Sequence, residues 1–293
     1  MKPDLISIIL TGASGLVGSK FISDFDYKYD FINLDRRDPV TPADILDYNS
    51  IAKLLNSSNA QHVVHLAAFT DVTAAYTQNG DKSGPAYQIN VLGTQNMVRA
   101  CEKTNKHLIH ISTAYVFDGE KESLYTEVDQ PQPIEWYGQT KYEAEKLVTA
   151  ANCPWTILRI DTPFRSDNFN KPDQARKILA TITSHLPLFT DHYFGPTYLD
   201  DFSRVLDWVI RTNTTGLYHA SSGEKWSDYE FGKLIIKTKN LKSEIIKGSL
   251  VEYLKQTSRP YQHNTAMDAS KLKSKLDFEL TNIEKAISEL EIN

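Results

Sequence analysis

The chain has little of what would tie it to a disulfide scaffold, a zinc centre or a membrane. Its 293 residues include two cysteines, Cys101 and Cys153. Two thiols cannot build a disulfide framework and their separation suits no zinc motif, so both read as ordinary buried thiols. No apolar run approaches the length that crosses a bilayer. Lys2, Pro3 and Asp4 precede only a short apolar stretch, too short for a secretory core. A basic excess is missing as well: the net charge is −5 and the pI about 5.9, which weighs against nucleic acid as a partner. There is no internal repeat and no low-complexity tract. These absences predict a soluble, cytoplasmic protein that engages neither membrane nor nucleic acid. With 41% hydrophobic residues, the chain can fill one large domain, or a domain and a smaller lobe.

Short apolar runs recur at Ile6–Leu10, Phe31–Leu34, His62–Ala67, His107–Ser112 and Trp155–Ile160. Several are rich in Ile and Val, as buried parallel strands are. Helical patterns lie between them. Ile51, Leu54 and Leu55 mark one, a longer one runs from about Ala86 to Thr104, and another from about Trp136 to Ala151. Alternating strand and helix predicts a doubly wound parallel sheet. After Ile160 the rhythm breaks at Pro163, Pro172, Pro187 and Pro196, which predicts a smaller, mostly helical lobe.

The first run leads into Thr11-Gly12-Ala13-Ser14-Gly15-Leu16-Val17-Gly18, followed by a helical pattern with Phe21 and Ile22. Strand, glycine-rich turn and helix is the arrangement that binds a dinucleotide pyrophosphate. Gly12 permits the tight turn, Gly15 lets the backbone approach the phosphates, and Gly18 lets helix and strand pack closely. The helix N-terminus then offers N–H groups and a positive dipole end to the anion. Asp35 ends the second run, 17 residues after Gly18, close to the ~20-residue offset of a ribose-binding acid. A carboxylate there favours NADH. Arg36 and Arg37 follow it, and a guanidinium at that place suits the 2′-phosphate of NADPH. Both cofactors remain open.

Tyr137-Gly138-Gln139-Thr140-Lys141 follows a proline-broken loop, Gln130-Pro131-Gln132-Pro133, and opens a helix. Tyr137 and Lys141 stand at i and i+4 and share a helix face. A nearby ammonium favours phenolate and makes a tyrosine usable as an acid or base near neutrality. The fourth run ends Ile109-His110-Ile111-Ser112-Thr113, at the strand edge where doubly wound sheets place their sites. Other patterns carry less. His62, His65, His107 and His110 form His-x-x-His pairs, whose members alternate to opposite faces of a strand and do not easily share a metal. Ser112 lacks the Gly-x-Ser-x-Gly setting of a hydrolase.

In this order and spacing the sequence resembles the extended short-chain dehydrogenases/reductases. The resemblance rests on the Gly12/Gly15/Gly18 turn, Asp35, Leu66-Ala67-Ala68, Asn90-Val91-x-Gly93-Thr94, Ser112-Thr113 and Tyr137-x-x-x-Lys141. Within that group it is similar to the dTDP-4-dehydrorhamnose reductase family, through Ala67 to Val72, Ile111 to Gly119, Trp136 to Lys141, Gly195-Pro196-Thr197 and Met267-Asp268-x-Ser270-Lys271-Leu272. The resemblance implies a Rossmann-type α/β fold. Residues 1–160 would bind NAD(P), and residues 161–293 would form mainly the substrate lobe, with some segments returning to the first domain.

The implied activity is NAD(P)H-dependent reduction of the 4-keto group of a nucleotide-linked deoxysugar. Thr113, Tyr137 and Lys141 would carry the chemistry. The implied cofactor residues are Gly12, Ser14, Gly15, Leu16, Val17, Gly18, Asp35, Arg36, Asp44, Ile45, Ala67, Ala68, Tyr137 and Lys141. Thr70, Ser112 and Arg165 would meet the sugar nucleotide, with Lys171, Arg176 and Lys177 nearby, and no metal is implied. A homodimer is compatible with this reading.

Departures from the family pattern are local. Ala114 stands where an acid is usual, Thr73-Ala74-Ala75-Tyr76 replaces Asp-x-Ala-Glu, and Ile160-Asp161-Thr162-Pro163-Phe164 lacks the usual tryptophan. Two alternatives stay open. One is a sugar-nucleotide epimerase of the same fold. The other is a non-catalytic NAD(P)-binding subunit resembling the regulatory subunit of methionine adenosyltransferase. Dehydration is disfavoured, because Ala114-Tyr115 occupies the place of an acidic pair.

Overall fold

A computed structural model describes residues 5–36 and 42–292. Its central sheet has six strands: β1 (Ile6–Thr11), β2 (Tyr29–Leu34), β3 (His62–His65), β4 (His107–Thr113), β5 (Trp155–Ile160) and β6 (Gly216–His219). Their spatial order is β6-β5-β4-β3-β1-β2. β1 pairs in parallel with both β2 and β3, and β3 pairs in parallel with β4. Winding therefore reverses between β1 and β3, and a doubly wound sheet binds ligands at such a switch point, beyond the carboxyl ends of its strands. The expected α/β fold is present.

β3 and β4 are buried along their whole length, which is why they read as continuous apolar runs rather than alternating ones. Two details differ from the sequence expectation. β3 ends at His65 rather than Ala67, because the N–H groups of Leu66 and Ala67 turn to Thr11 Oγ1 at 3.1 and 3.0 Å. β6 was absent from the expected strands. It is four residues long and its first two are only half-buried, so it leaves little apolar signal.

The chain forms two compact units. The first comprises Met1–Thr113, Trp136–Leu158 and Leu206–Leu217; the second comprises Ala114–Glu135, Arg159–Val205 and Tyr218–Asn293. In the first unit, helices α1 (Leu16–Phe25), α2 (Tyr48–Ser57), α3 (Thr94–Thr104) and α4 (Trp136–Thr149) accompany the sheet. Their core joins Ile9, Leu34, Ile51, Val63, Met97, Leu108, Val148 and Ile157. Cys101 and Cys153 lie in this core as free thiols. The long helical pattern before α3 is helical throughout but not uniform: Pro85–Tyr87 is α-helical and Gln88–Gly93 is a π-helical turn.

The second unit has its own core. Phe164, Phe194, Tyr198 and Phe231 pack with Ile178, Ile235 and Ile287, on helices α5 (Gln174–Thr183), α7 (Asp228–Thr238) and α8 (Ile283–Glu289). Helix α6 (Leu199–Thr212) has residues in both units. Asp173, Ser227 and Asn282 cap α5, α7 and α8 by accepting backbone N–H bonds. No described helix is long and apolar enough to cross a membrane.

Candidate active site

The glycine turn takes its shape from close backbone contacts. Gly12 has φ +70°, and a Cβ there would lie 2.7 Å from Ala67 N and 2.9 Å from Leu66 C. The end of β1 thus meets the turn after β3. A Cβ on Gly18 would lie 2.4 Å from Gly12 O, so α1 rests on the turn itself. Gly15 is different. It is exposed, and among the described residues, apart from its chain neighbours and its own helix, the one atom within 4 Å of a Cβ there is Gly12 O at 3.2 Å. Gly15 is also the N-cap of α1 and makes no side-chain capping bond.

An exposed glycine as the N-cap of a helix fits a pyrophosphate. Asp35 lies beside this turn. Its Oδ2 accepts hydrogen bonds from Ser14 Oγ at 2.7 Å and Ser14 N at 3.4 Å, which sets a carboxylate beside the turn. Leu16 and Val17 are half-buried in the first turn of α1. Arg36 is exposed, 3.9 Å from Asp44, and Arg37 lies outside the described residues. Ile45 belongs to the core, and its Cδ1 would be 2.5 Å from a Cβ on Gly93. Ala67 and Ala68 are half-buried, and Thr70 is exposed.

Tyr137 and Lys141 are both buried on α4, one turn apart. Lys141 Nζ donates to Ile111 O at 2.6 Å, which ties α4 to β4. Burial lowers its pKa to about 8, and Glu145 opposes that shift. At the end of β4, Ser112 and Thr113 are almost fully buried. Ser112 Oγ has no hydrogen-bond partner among the described residues.

Asn90, in the π-helical turn, locks the neighbouring pieces together. It accepts from Phe69 N at 2.8 Å, and its Nδ2 donates to Phe69 O at 3.2 Å and to Thr140 Oγ1 at 2.9 Å. Thr140 in turn donates to Tyr137 O at 2.8 Å. The loop after β3 and the first turn of α4 are therefore held by one amide. Sequence reasoning had Asn90 only as part of the Asn-Val-x-Gly-Thr motif. The π-turn that aims it, a feature frequent at functional sites, left no signal.

The histidines form two cross-strand pairs. The rings of His62 and His107 are 5.5 Å apart and those of His65 and His110 5.4 Å apart. No group of three or more metal-ligating side chains occurs among the described residues. Burial lowers the pKa of His65 to about 3, and the Lys141 charge adds to the shift. The same two causes, with His65 added, push His110 well down.

In the second unit, Arg165 is buried and grips Asp167 with a two-pronged bond, at 2.7 and 2.6 Å. Arg176 donates to Asp173 at 2.6 Å and to the carbonyls of Arg165, Ser166 and Asp167. It also donates to Glu291 O at 3.0 Å, 115 positions along the chain. Sequence reasoning gave no role to Asp161. Its Oδ2 accepts from Gly195 N and Thr265 Oγ1, both at 2.8 Å, and burial raises its pKa to about 7. Thr162, next to it, has φ +34°, a strained value for a β-branched residue.

The model for the RmlD substrate-binding domain matches residues 6–291. The chain belongs to that family. Two relatives of this RmlD-family chain span most of it. A dTDP-4-dehydrorhamnose reductase of Aggregatibacter actinomycetemcomitans is 30% identical over 76% of each chain. A probable low-salt glycan biosynthesis reductase of Haloferax volcanii is 26% identical over 96% of each. The solved structure of dTDP-4-dehydrorhamnose reductase from Bacillus anthracis, in complex with NADP, superposes with a TM-score of 0.86 at 23% identity. It covers 98% of both chains. The family resemblance drawn from the sequence motifs and the fold class are both borne out.

Proposed function

We propose that this RmlD-family chain is an NAD(P)H-dependent oxidoreductase that reduces the 4-keto group of a nucleotide-linked deoxysugar. The observation that carries the reading is buried Tyr137 one turn from buried Lys141, on the unit that also holds the open Gly15 turn. The first unit would hold the dinucleotide. Gly12, Ser14, Gly15, Leu16, Val17 and Gly18 would face its pyrophosphate, and Asp35, Arg36, Asp44 and Ile45 its adenosine end. Ala67, Ala68, Tyr137 and Lys141 would meet the nicotinamide side. Residues 161–293 would serve mainly the substrate, with Leu206–Leu217 belonging to the first unit.

A bound reduced nicotinamide supplies the hydride. Tyr137 donates a proton to the oxygen that becomes the alcohol, and Thr113 donates a hydrogen bond to that oxygen. Lys141 stabilises the charge left on Tyr137 after transfer. Thr70, Ser112 and Arg165 would contact the sugar nucleotide. Under this reading the enzyme is cytosolic and needs neither nucleic acid nor membrane. A homodimer is compatible with it.

Purified protein is tested for oxidation of NADPH and NADH with a dTDP-4-keto-6-deoxysugar. Turnover supports the reading. Dinucleotide binding with no turnover on any keto-sugar nucleotide overturns it in favour of a binding subunit, and conversion to an isomeric keto-sugar without net oxidation points to an epimerase. Cofactor choice is read from Asp35→Ala and Arg36→Ala. The first should weaken NADH more than NADPH and the second the reverse.

A further inference from the structure

A chain of buried polar groups runs beneath the glycine turn, and the Tyr137 chemistry does not use it. Thr11 Oγ1 accepts from Leu66 N at 3.1 Å and from Ala67 N at 3.0 Å. Leu66 N–H is shared with Thr11 O at 3.3 Å. The same hydroxyl lies 2.8 Å from His65 Nδ1, and His65 Nε2 lies 3.0 Å from Thr94 Oγ1. A hydroxyl has one proton and two acceptor sites. With both acceptor sites taken by the turn, its proton goes to Nδ1. The neutral ring must then carry its own proton on Nε2, where it donates to Thr94.

We propose that His65, in its Nε2–H form, is a positioning residue of the dinucleotide site. It orients Thr11, Thr11 fixes the Leu66–Ala67 turn, and that turn sets the place of Gly12. The coupling is steric. Space beside Gly12 is too small for a Cβ, which would stand 2.7 Å from Ala67 N. Gly12 O then accepts Gly15 N–H at 3.0 Å, so displacement of the turn reaches the open glycine at the head of α1. The proposal rests on the dinucleotide reading given above.

The test compares His65→Phe, which removes both hydrogen bonds, with His65→Asn, whose amide can restore an acceptor facing Thr11. The control is His107→Phe. His107 is also a buried strand histidine bonded to a threonine, Thr156 at 2.7 Å. NADPH affinity by calorimetry, thermal midpoints and the ¹⁵N signature of the His65 ring are measured.

The wild-type ring should show the Nε2–H tautomer. His65→Phe should weaken NADPH about tenfold, as loss of a buried hydrogen bond would, and His65→Asn should recover most of it. His107→Phe should lower the midpoint without moving the affinity. An Nδ1–H tautomer, or wild-type affinity in His65→Phe, overturns the proposal. If His65→Phe does not fold, Thr11→Val replaces it, with the same loss expected and wild-type affinity again decisive. Gly15→Val separates the two ideas. If it abolishes binding while the His65 and Thr11 variants bind normally, only this proposal fails. If wild-type protein binds no dinucleotide, the underlying reading fails with it.

Discussion

At the scale of single residues, burial sets the chemistry of Lys141 more than any neighbouring charge does. Its pKa falls from 10.5 to about 8. Two consequences follow in opposite directions. In the proposed mechanism turnover needs the ammonium, so kcat should fall as pH rises through about 8, and a pH–rate profile measures that limb. Stability moves the other way. Between about 8 and 10.5 the unfolded chain holds a proton at Lys141 that the folded chain has lost. The Lys141 contribution to stability should therefore rise with pH across that window. Wild type and Lys141→Met, melted side by side from pH 8 to 10, isolate the effect, and an identical pH dependence would count against the buried ammonium. Tyr137→Phe removes one hydroxyl and little volume. We expect a folded protein whose cofactor affinity barely moves and a kcat lower by roughly 10²–10⁴, measured in single-turnover and steady-state assays. A near wild-type rate would mean that the proton comes from another group.

Among elements, the turn between β1 and α1 separates two kinds of glycine. At Gly18 a Cβ would meet backbone at 2.4 Å, whereas at Gly15 the single near atom is Gly12 O at 3.2 Å. Gly18→Val should lower the thermal midpoint, because the helix must lift from the turn; overpacking of this kind costs about 1–3 kcal/mol or more. Gly15→Val should keep much of the fold and lose NADPH binding, because the added bulk occupies the exposed face. Denaturant melts and calorimetry on the same two proteins check both halves, and loss of binding with an intact fold in Gly15→Val is the decisive result. Most elements were legible from periodicity. The apolar run of β4 and the α4 pattern with Tyr137 and Lys141 appear in the structure close to their expected bounds. The end of β3 was not legible, since a hydroxyl 55 positions away, on Thr11, captures Leu66 N. A local pattern has no means to encode such a partner.

For the whole molecule, a buried carboxylate ties the second unit together. Asp161 accepts from Gly195 N and Thr265 Oγ1, and so joins the end of β5 to two distant stretches of chain. Burial raises its pKa from 3.8 to about 7, with His192 among the neighbours that lower it. The folded chain thus binds a proton at Asp161 that the unfolded chain releases across that interval. Its contribution to stability is full below 3.8 and is lost as pH rises through about 7. Asp161→Asn keeps an acceptor without the charge. Its melting temperature should vary less with pH between 4.5 and 8 than that of wild type, and should exceed it at pH 8. Equal slopes in the two proteins would refute the assignment.

The division between sequence and structure follows from the range of the forces involved. Alternating runs, the glycine turn with Asp35, and Tyr137 with Lys141 at helical spacing are local patterns. By themselves they determined the α/β architecture and the cofactor class. The tertiary structure alone decided what depends on distant partners. Asn90 reaches Phe69 and Thr140, and His65 lies between Thr11 and Thr94. Asp161 became notable only once burial was known. Desolvation depends on every atom packed around a group, and the residues before and after it along the chain do not specify that packing.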